Sequence, residues 1–312
     1  MNNDPASASS RRRAVLALYL VLLIIALAAV AWLVVWPRLA APAPDLAFDG
    51  EHAYQHVLAQ MEFGPRVVGT DAHRLAGDYI VARLEEAGWE VEEQPFEFNE
   101  VALRNFIARA AVGRGPVAII GAHYDSRRYA DQDPGQPLSP VPGANDGASG
   151  VAVLLELART LDKDRLTNEV WLAVFDAEDD GDLEGWPWLV GSTYMAENLT
   201  VQPEFVVVVD MNGDADQQIY IDHNSDAQLS ARIWSLAAGL GYGEQFVPIP
   251  KYAMLDDHTP FAQRGIAAVD VIDFDYPYWH TVADTADKVS PESLERVGRT
   301  MERLLEGAAV DS

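Results

Sequence analysis

The sequence predicts an α/β fold of three layers, α/β/α, around a mostly parallel (mixed) sheet, preceded by one N-terminal transmembrane helix. Three observations carry this. Four short apolar runs, 117–122, 170–175, 205–209 and 266–271, each lead to polar residues and a loop, as strands of a sheet buried on both faces do. Val151, Leu154, Leu155, Ala158 and Leu161 recur at the one-face spacing of an amphipathic helix between two of these runs. Ala14 to Trp36 is apolar and free of charge, long enough to cross a bilayer.

Taken in order, residues 1–13 read as a polar cytoplasmic tail and 14–36 as a signal anchor. Arg11, Arg12 and Arg13 precede the apolar run and only Arg38 follows closely, so the bias of basic residues places the N-terminus in the cytoplasm and the rest outside. A cleaved signal peptide, cut near Ala26-Leu27-Ala28, is the rival; the apolar run continues past that point. Residues 37–48 form a Pro/Ala linker, and 49–312 the globular domain. Within it, Glu51 to Met61 reads as a helix. Asp71 is placed to cap a second over 72–87, with Gly88 ending it. Val91 to Phe98 alternates as a strand, with a partner over Asn105 to Val112. Ser290 and Pro291 open a closing helix to about Leu305.

Composition excludes several classes of function. The chain has 312 residues and a formal net charge of −26, from 48 acidic and 22 basic side chains, which repels phosphate backbones and makes nucleic acid an unsuitable partner. It has no cysteine, so disulfides, thiolate metal sites and a cysteine nucleophile are absent. No Gly-x-Ser-x-Gly elbow or Gly-Lys-Ser/Thr loop occurs.

What remains is a set of ligand-type residues at the ends of the apolar runs: His123, Asp146, Asp179, Asp210 and His280, with Glu178 beside them. In parallel sheets, function gathers beyond the carboxyl ends of the strands. A single Asp before a helix is usually a cap. Several buried carboxylates together need a counter-charge, and a divalent cation supplies one. Nitrogen and oxygen donors without sulfur suit zinc, with manganese or cobalt as substitutes. Five ligands exceed one tetrahedral site and fit a pair of ions bridged by Asp146. Glu178 remains free as a base.

His123-Tyr-Asp-Ser, Gly143-Ala-Asn-Asp-Gly-Ala-Ser-Gly, Phe175-Asp-Ala-Glu-Asp, Asp257-His-Thr-Pro-Phe and His280-Thr-x-x-Asp-Thr resemble the motifs of the M28 family of metallo-aminopeptidases, over about Asp49 to Leu305. The resemblance implies an eight-stranded sheet and two zinc ions. His123 and Asp210 would hold one ion, Asp179 and His280 the other, with Asp146 bridging and Glu178 as general base. One departure is Asp179, where most members carry Glu. The implied activity is a membrane-anchored aminopeptidase that removes N-terminal residues from peptides with a free N-terminus, using a metal-activated water. Glutaminyl cyclases share the fold and use one zinc at the positions of Asp146, Asp179 and His280. The Asp256-Asp257-His258 triplet, Trp279 before His280, and Trp186 and Trp188 lean toward them, whereas Asn145-Asp146-Gly147 leans toward the peptidases, which the sequence alone places first. Asp125, Trp186, Asp256, Asp257, His258 and Trp279 are expected to orient ligands or line the pocket. A non-catalytic binding protein of this fold would require broken ligand positions, and none is broken.

Overall fold

The computed structural model describes Tyr19, Leu23 and residues 46–307. The expected tail, anchor and most of the linker lie outside the described residues; among those described, no helix is long and apolar enough to cross a membrane. Residues 47–307 form one compact unit.

The chain opens with α1 (Gly50–Met61), capped by the Asp49 carboxylate, and α2 (Asp71–Glu86). The cap of α2 is Thr70, whose hydroxyl accepts from the His73 N–H; Asp71 sits one position inside, where its charge favours the helix N-terminus. β1 (Glu90–Phe98) and β2 (Val101–Ala110) then pair as a hairpin. The second strand begins four residues earlier than the expected Asn105, because Asn99 and Glu100, both with positive φ, close a two-residue turn and pairing resumes at once from Phe98 to Val101.

β3 (Val117–His123), α3 (Ala148–Thr160), β4 (Glu169–Phe175), α4 (Val190–Glu197) and β5 (Phe205–Asp210) follow. After them come β6 (Ile219–Ile221), α5 (Ala227–Gly239), β7 (Phe246–Pro250), α6 (Thr259–Gln263), β8 (Ala267–Ile272) and the closing α7 (Pro291–Glu306). Ser290 caps α7 as expected, accepting from Ser293 N–H. The apolar runs read as strands all became strands. The eight strands do not form one sheet, however. Six make the central sheet in the order β1-β2-β4-β3-β5-β8, with β4, β3, β5 and β8 parallel, and β6-β7 form a separate parallel pair. With three residues in β6 and Pro248 and Pro250 in β7, this pair lacks the backbone donors to extend the main sheet.

The parallel strands sort their side chains by alternation. Ala118, Ile120 and Ala122, with Val207, Val209, Val269 and Val271, join the core beneath α1, α3, α5 and α7. Ile119, Val206, Val208 and Ala268 face the other way, toward Met195 of α4 and Phe261 of α6. Burial on both faces gives the three layers and explains why these strands read as continuous apolar runs. It also leaves the carboxyl ends of β3, β4, β5 and β8 together at one edge of the sheet.

Candidate metal centre

That edge carries the site. His123 and Asp210 are the last residues of β3 and β5, and Glu178 and Asp179 follow β4 by three and four residues. Asp146 comes from the loop before α3. It does not cap that helix: the cap position is Gly147, and no side chain bonds there. Gly147 has φ +90°, and a Cβ on it would stand 2.6 Å from the Asp125 carbonyl and 3.1 Å from His123 Cε1, so only glycine lets the loop pass this close. Ala177, Met211 and His280 also have positive φ, next to or at the site residues. Such conformations cost about 1–3 kcal/mol each and persist only where the surroundings over-determine them.

The five expected ligands converge. His123 Nε2 lies 3.2 Å from Asp146 Oδ1 and 3.2 Å from Asp210 Oδ1. His280 Nε2 lies 3.0 Å from Asp179 Oδ1 and 3.7 Å from Asp146 Oδ2. They form two buried groups, His123–Asp146–Asp210 and Asp146–Asp179–His280, sharing Asp146, which turns a different oxygen to each. Ligands about 2.0–2.2 Å from a zinc ion stand roughly 3.3–3.6 Å apart in a tetrahedron, so both groups fit the ion in spacing and in donor type. The orphaned atoms are unevenly shared. Asp146 Oδ2, which faces His280, and Asp179 Oδ2 are buried without hydrogen-bond partners, as are Nδ1 of His123 and of His280, whereas no Asp210 oxygen is. The residues present therefore fit zinc, most clearly at the Asp146–Asp179–His280 group.

Surrounding side chains hold these groups in place. Asp125 lies 3.4 Å from His123 Nδ1 and accepts from the backbone N–H groups of Glu178 and Asp179. Sequence reading missed four others. Asp284 accepts from the N–H groups of Asn145 and Asp146 and from the Tyr276 hydroxyl, although it is the Asp of the His280 motif. Arg66, wholly buried, donates to the carbonyls of Tyr124, Pro142 and Gly143 and so fixes the Asp146 loop. Asp131 faces His280 Nδ1, and Arg127 donates to Asp131 and to the Asp179 carbonyl. No periodicity or local spacing marks Arg66 or Asp131, because their partners are distant in sequence.

Burial, with the Asp179 and Asp257 carboxylates adding to it against the pull of His123, holds the Glu178 carboxyl well above the usual range. Burial and Asp146 raise Asp179 to about 7. For His123, burial works downward, but Asp210, Asp125 and Asp146 outweigh it and the ring is held well above its ordinary value.

A cleft of about 200 Å³ opens onto Asp146, Glu178, Asp179, Asp210, Asp256 and His280, with Trp188, Phe274 and Trp279 among its walls. This is below the usual range for a drug-sized ligand and fits one amino-acid side chain. Two tryptophans stack against His280, Trp279 at 3.8 Å and Trp188 at 6.0 Å between ring centroids. Trp186, expected at the pocket, instead packs on Phe98 in an apolar cluster with Val68, Leu103 and Val190. Two residues on, past Pro187, Trp188 lines the cleft and lies against Gly181. Asp257 and His258 are buried behind the cleft wall and do not line it, whereas Asp256 and Trp279 do.

Residues 105–305 match peptidase family M28. The chain is 33% identical to the glutaminyl cyclase of Porphyromonas gingivalis, with a TM-score of 0.79 over 84% of this chain and 99% of that one. It is 31% identical to a Zn-dependent exopeptidase from Parabacteroides distasonis, with a TM-score of 0.79 and the same two coverages. Among curated proteins it is 27% identical over 274 residues to a mouse glutaminyl-peptide cyclotransferase-like protein, covering 76% of this chain and 70% of the relative.

Proposed function

The chain belongs to peptidase family M28, and from that premise we propose that it is a glutaminyl-peptide cyclotransferase that closes N-terminal glutamine into a pyroglutamyl ring. The observation that carries this reading is the uneven need for a cation. Of the buried unpartnered oxygens at the centre, Asp179 Oδ2 belongs to the Asp146–Asp179–His280 group alone, Asp146 Oδ2 faces His280, and none belongs to Asp210. One zinc is therefore assigned to Asp146, Asp179 and His280. Bound there, it would act as a Lewis acid toward a substrate carbonyl.

The remaining chemistry falls to the chain. The reaction joins the substrate's α-nitrogen to its own δ-carbon and breaks the bond from that carbon to the amide nitrogen, releasing ammonia. Glu178, on the cleft wall beside Asp179, takes the proton from the attacking amine and delivers it to the departing nitrogen; its raised proton affinity suits a group that must both accept and return a proton. Trp188, Trp279 and Phe274 enclose the glutamine side chain and exclude water that would otherwise hydrolyse the amide.

A second reading is a two-zinc aminopeptidase, with His123 and Asp210 holding a second ion. It is favoured by Asp146, whose two oxygens face the two groups separately. A glutaminyl peptide and a panel of aminoacyl reporter substrates, with metal content measured alongside, separate the two. Ammonia release with pyroglutamyl product, and a zinc content that His280→Ala lowers and Asp210→Asn does not, is the expected result. Cleavage of aminoacyl reporters without cyclisation overturns it.

We also assign residues 14–36 as a retained anchor that places the enzyme outside the cytoplasmic membrane. The motivating feature is the charge-free apolar run behind Arg11, Arg12 and Arg13. Release of the full chain from membranes by alkaline carbonate would disprove it.

A further inference from the structure

Another set of buried ligand-type side chains runs from the cleft wall, at Asp256, back to β8. Asp256, His258 and Asp270 bring one ligand atom each to within 4.8 Å of one another, and all three are buried. Asp270 is the anomaly that exposes the site. It stands in the middle of β8, on the face shared with Ala268, where its neighbours in sequence are valines. Its backbone N–H donates to the Ser225 hydroxyl, but neither oxygen of its carboxylate has a hydrogen-bond partner. Neither ring nitrogen of His258 makes a hydrogen bond either.

Among the described residues, only the imidazoles of His258 and His123 work against the charge on Asp256 and Asp257. Asp222 Oδ2 lies 3.3 Å from His258 Nε2, yet Asp222 already accepts from the N–H groups of Met254 and Asn224 and from the Ser225 hydroxyl. Asp257 adds another buried carboxylate with both oxygens unpartnered. Among the described residues, no lysine or arginine pairs with Asp222, Asp256, Asp257 or Asp270, and His258 is the one basic group that does so. Four buried carboxylates gathered near one imidazole are strongly unfavourable unless a cation or protons compensate.

We propose that Asp256, His258 and Asp270 form a further divalent-cation site, separate from the groups around Asp146 and suited to zinc or manganese. One imidazole and two carboxylates are a donor set for those ions rather than for calcium or magnesium, which prefer oxygen alone. Asp222 takes the part that a carboxylate commonly plays behind a metal-bound histidine. The ion ties the start of α6 to β8 and fixes the cleft wall at Asp256. It is independent of whether the cleft performs cyclisation or hydrolysis.

The test is a metal count on the full chain, stripped with a chelator and dialysed against Zn²⁺. Wild type is expected to hold one equivalent more than Asp270→Asn, while His280→Ala loses a different equivalent and keeps this one. Equal metal content in wild type and Asp270→Asn overturns the proposal. A folding defect in the variant is bypassed by a second measurement on wild type alone, anomalous scattering from crystals grown with saturating Zn²⁺ or Mn²⁺. A peak between Asp256, His258 and Asp270 supports the site. Peaks confined to the Asp146 groups overturn it, and assign the buried charge to shared protons instead.

Discussion

The Asp131 carboxylate stands 3.3 Å from Nδ1 of His280, on the far side of the ring from the Nε2 that faces Asp179. Loop backbone reinforces the contact, since the Gln132 N–H donates to the His280 carbonyl and the Val282 N–H to the Asp133 carboxylate. A carboxylate behind a metal-binding imidazole sets its tautomer and raises its basicity; removing such a partner usually costs about 10- to 100-fold in metal affinity. Asp131→Asn is therefore expected to weaken zinc binding by about that factor, read by competition with a chromophoric chelator. Unchanged affinity would show that the contact is incidental.

Glu178 belongs to a different part of the chemistry. Its backbone N–H is held by Asp125, but its carboxylate is in neither ligand group. Glu178→Gln keeps the volume and removes the proton carrier. Zinc content and thermal stability should stay close to wild type while turnover falls about 10²- to 10⁴-fold. A variant that turns over normally, or loses its metal, removes Glu178 from the assigned role.

Trp186 and Trp188 make a controlled pair, two residues apart with opposite surroundings. Trp186 is buried against Phe98, so Trp186→Ala should destabilise the fold by about 3–5 kcal/mol and leave kcat/KM of the surviving folded protein near wild type. Trp188 lines the cleft, lies under the Arg127 guanidinium at 4.8 Å, and flanks His280. Trp188→Ala should therefore raise KM for a glutaminyl peptide while costing less stability. Denaturant melts beside steady-state kinetics check both halves, and an interchange of the two phenotypes would refute the placement.

The contrast between those tryptophans shows what was legible in the sequence and what was not. The parallel strands announced themselves because both faces are buried, and the ligands because each ends or follows such a strand. His123 and Asp210 needed only a strand end to be found. The division of the eight strands was not legible, since three residues at Ile219–Ile221 and a proline-interrupted run carry too little periodicity to say which sheet they join. Trp186 and Trp188 differ only in where the backbone carries them, one to Phe98 and the other to Gly181 and the cleft, which side-chain chemistry does not reveal. Asp131, Asp284 and Arg66 act on partners far away in sequence, so their roles emerge only once the fold brings β3, β4 and the Asp146 loop together.

Crowded carboxylates also set how stability should respond to pH and to metal. Burial, with a neighbouring carboxylate in each case, raises Asp179, Asp256 and Asp284 to about 7. In the unfolded chain such groups titrate near about 3.9, so between that value and neutrality the metal-free folded state binds more protons than the unfolded one. Their contribution to stability is complete below the unfolded value and is lost as pH rises through about 7. The depressed carboxylates Asp125 and Asp146 titrate below this window and do not oppose the trend within it. Chelated protein should thus melt at a higher temperature near pH 5 than near pH 7.5. Zinc competes with those protons for Asp179, so the metal-loaded protein should gain most over the chelated form at the higher pH. Calorimetry at the two pH values, with and without zinc, reads the difference directly. A chelated protein that becomes more stable toward neutrality would mean that these carboxylates are neutralised by something other than protons or metal.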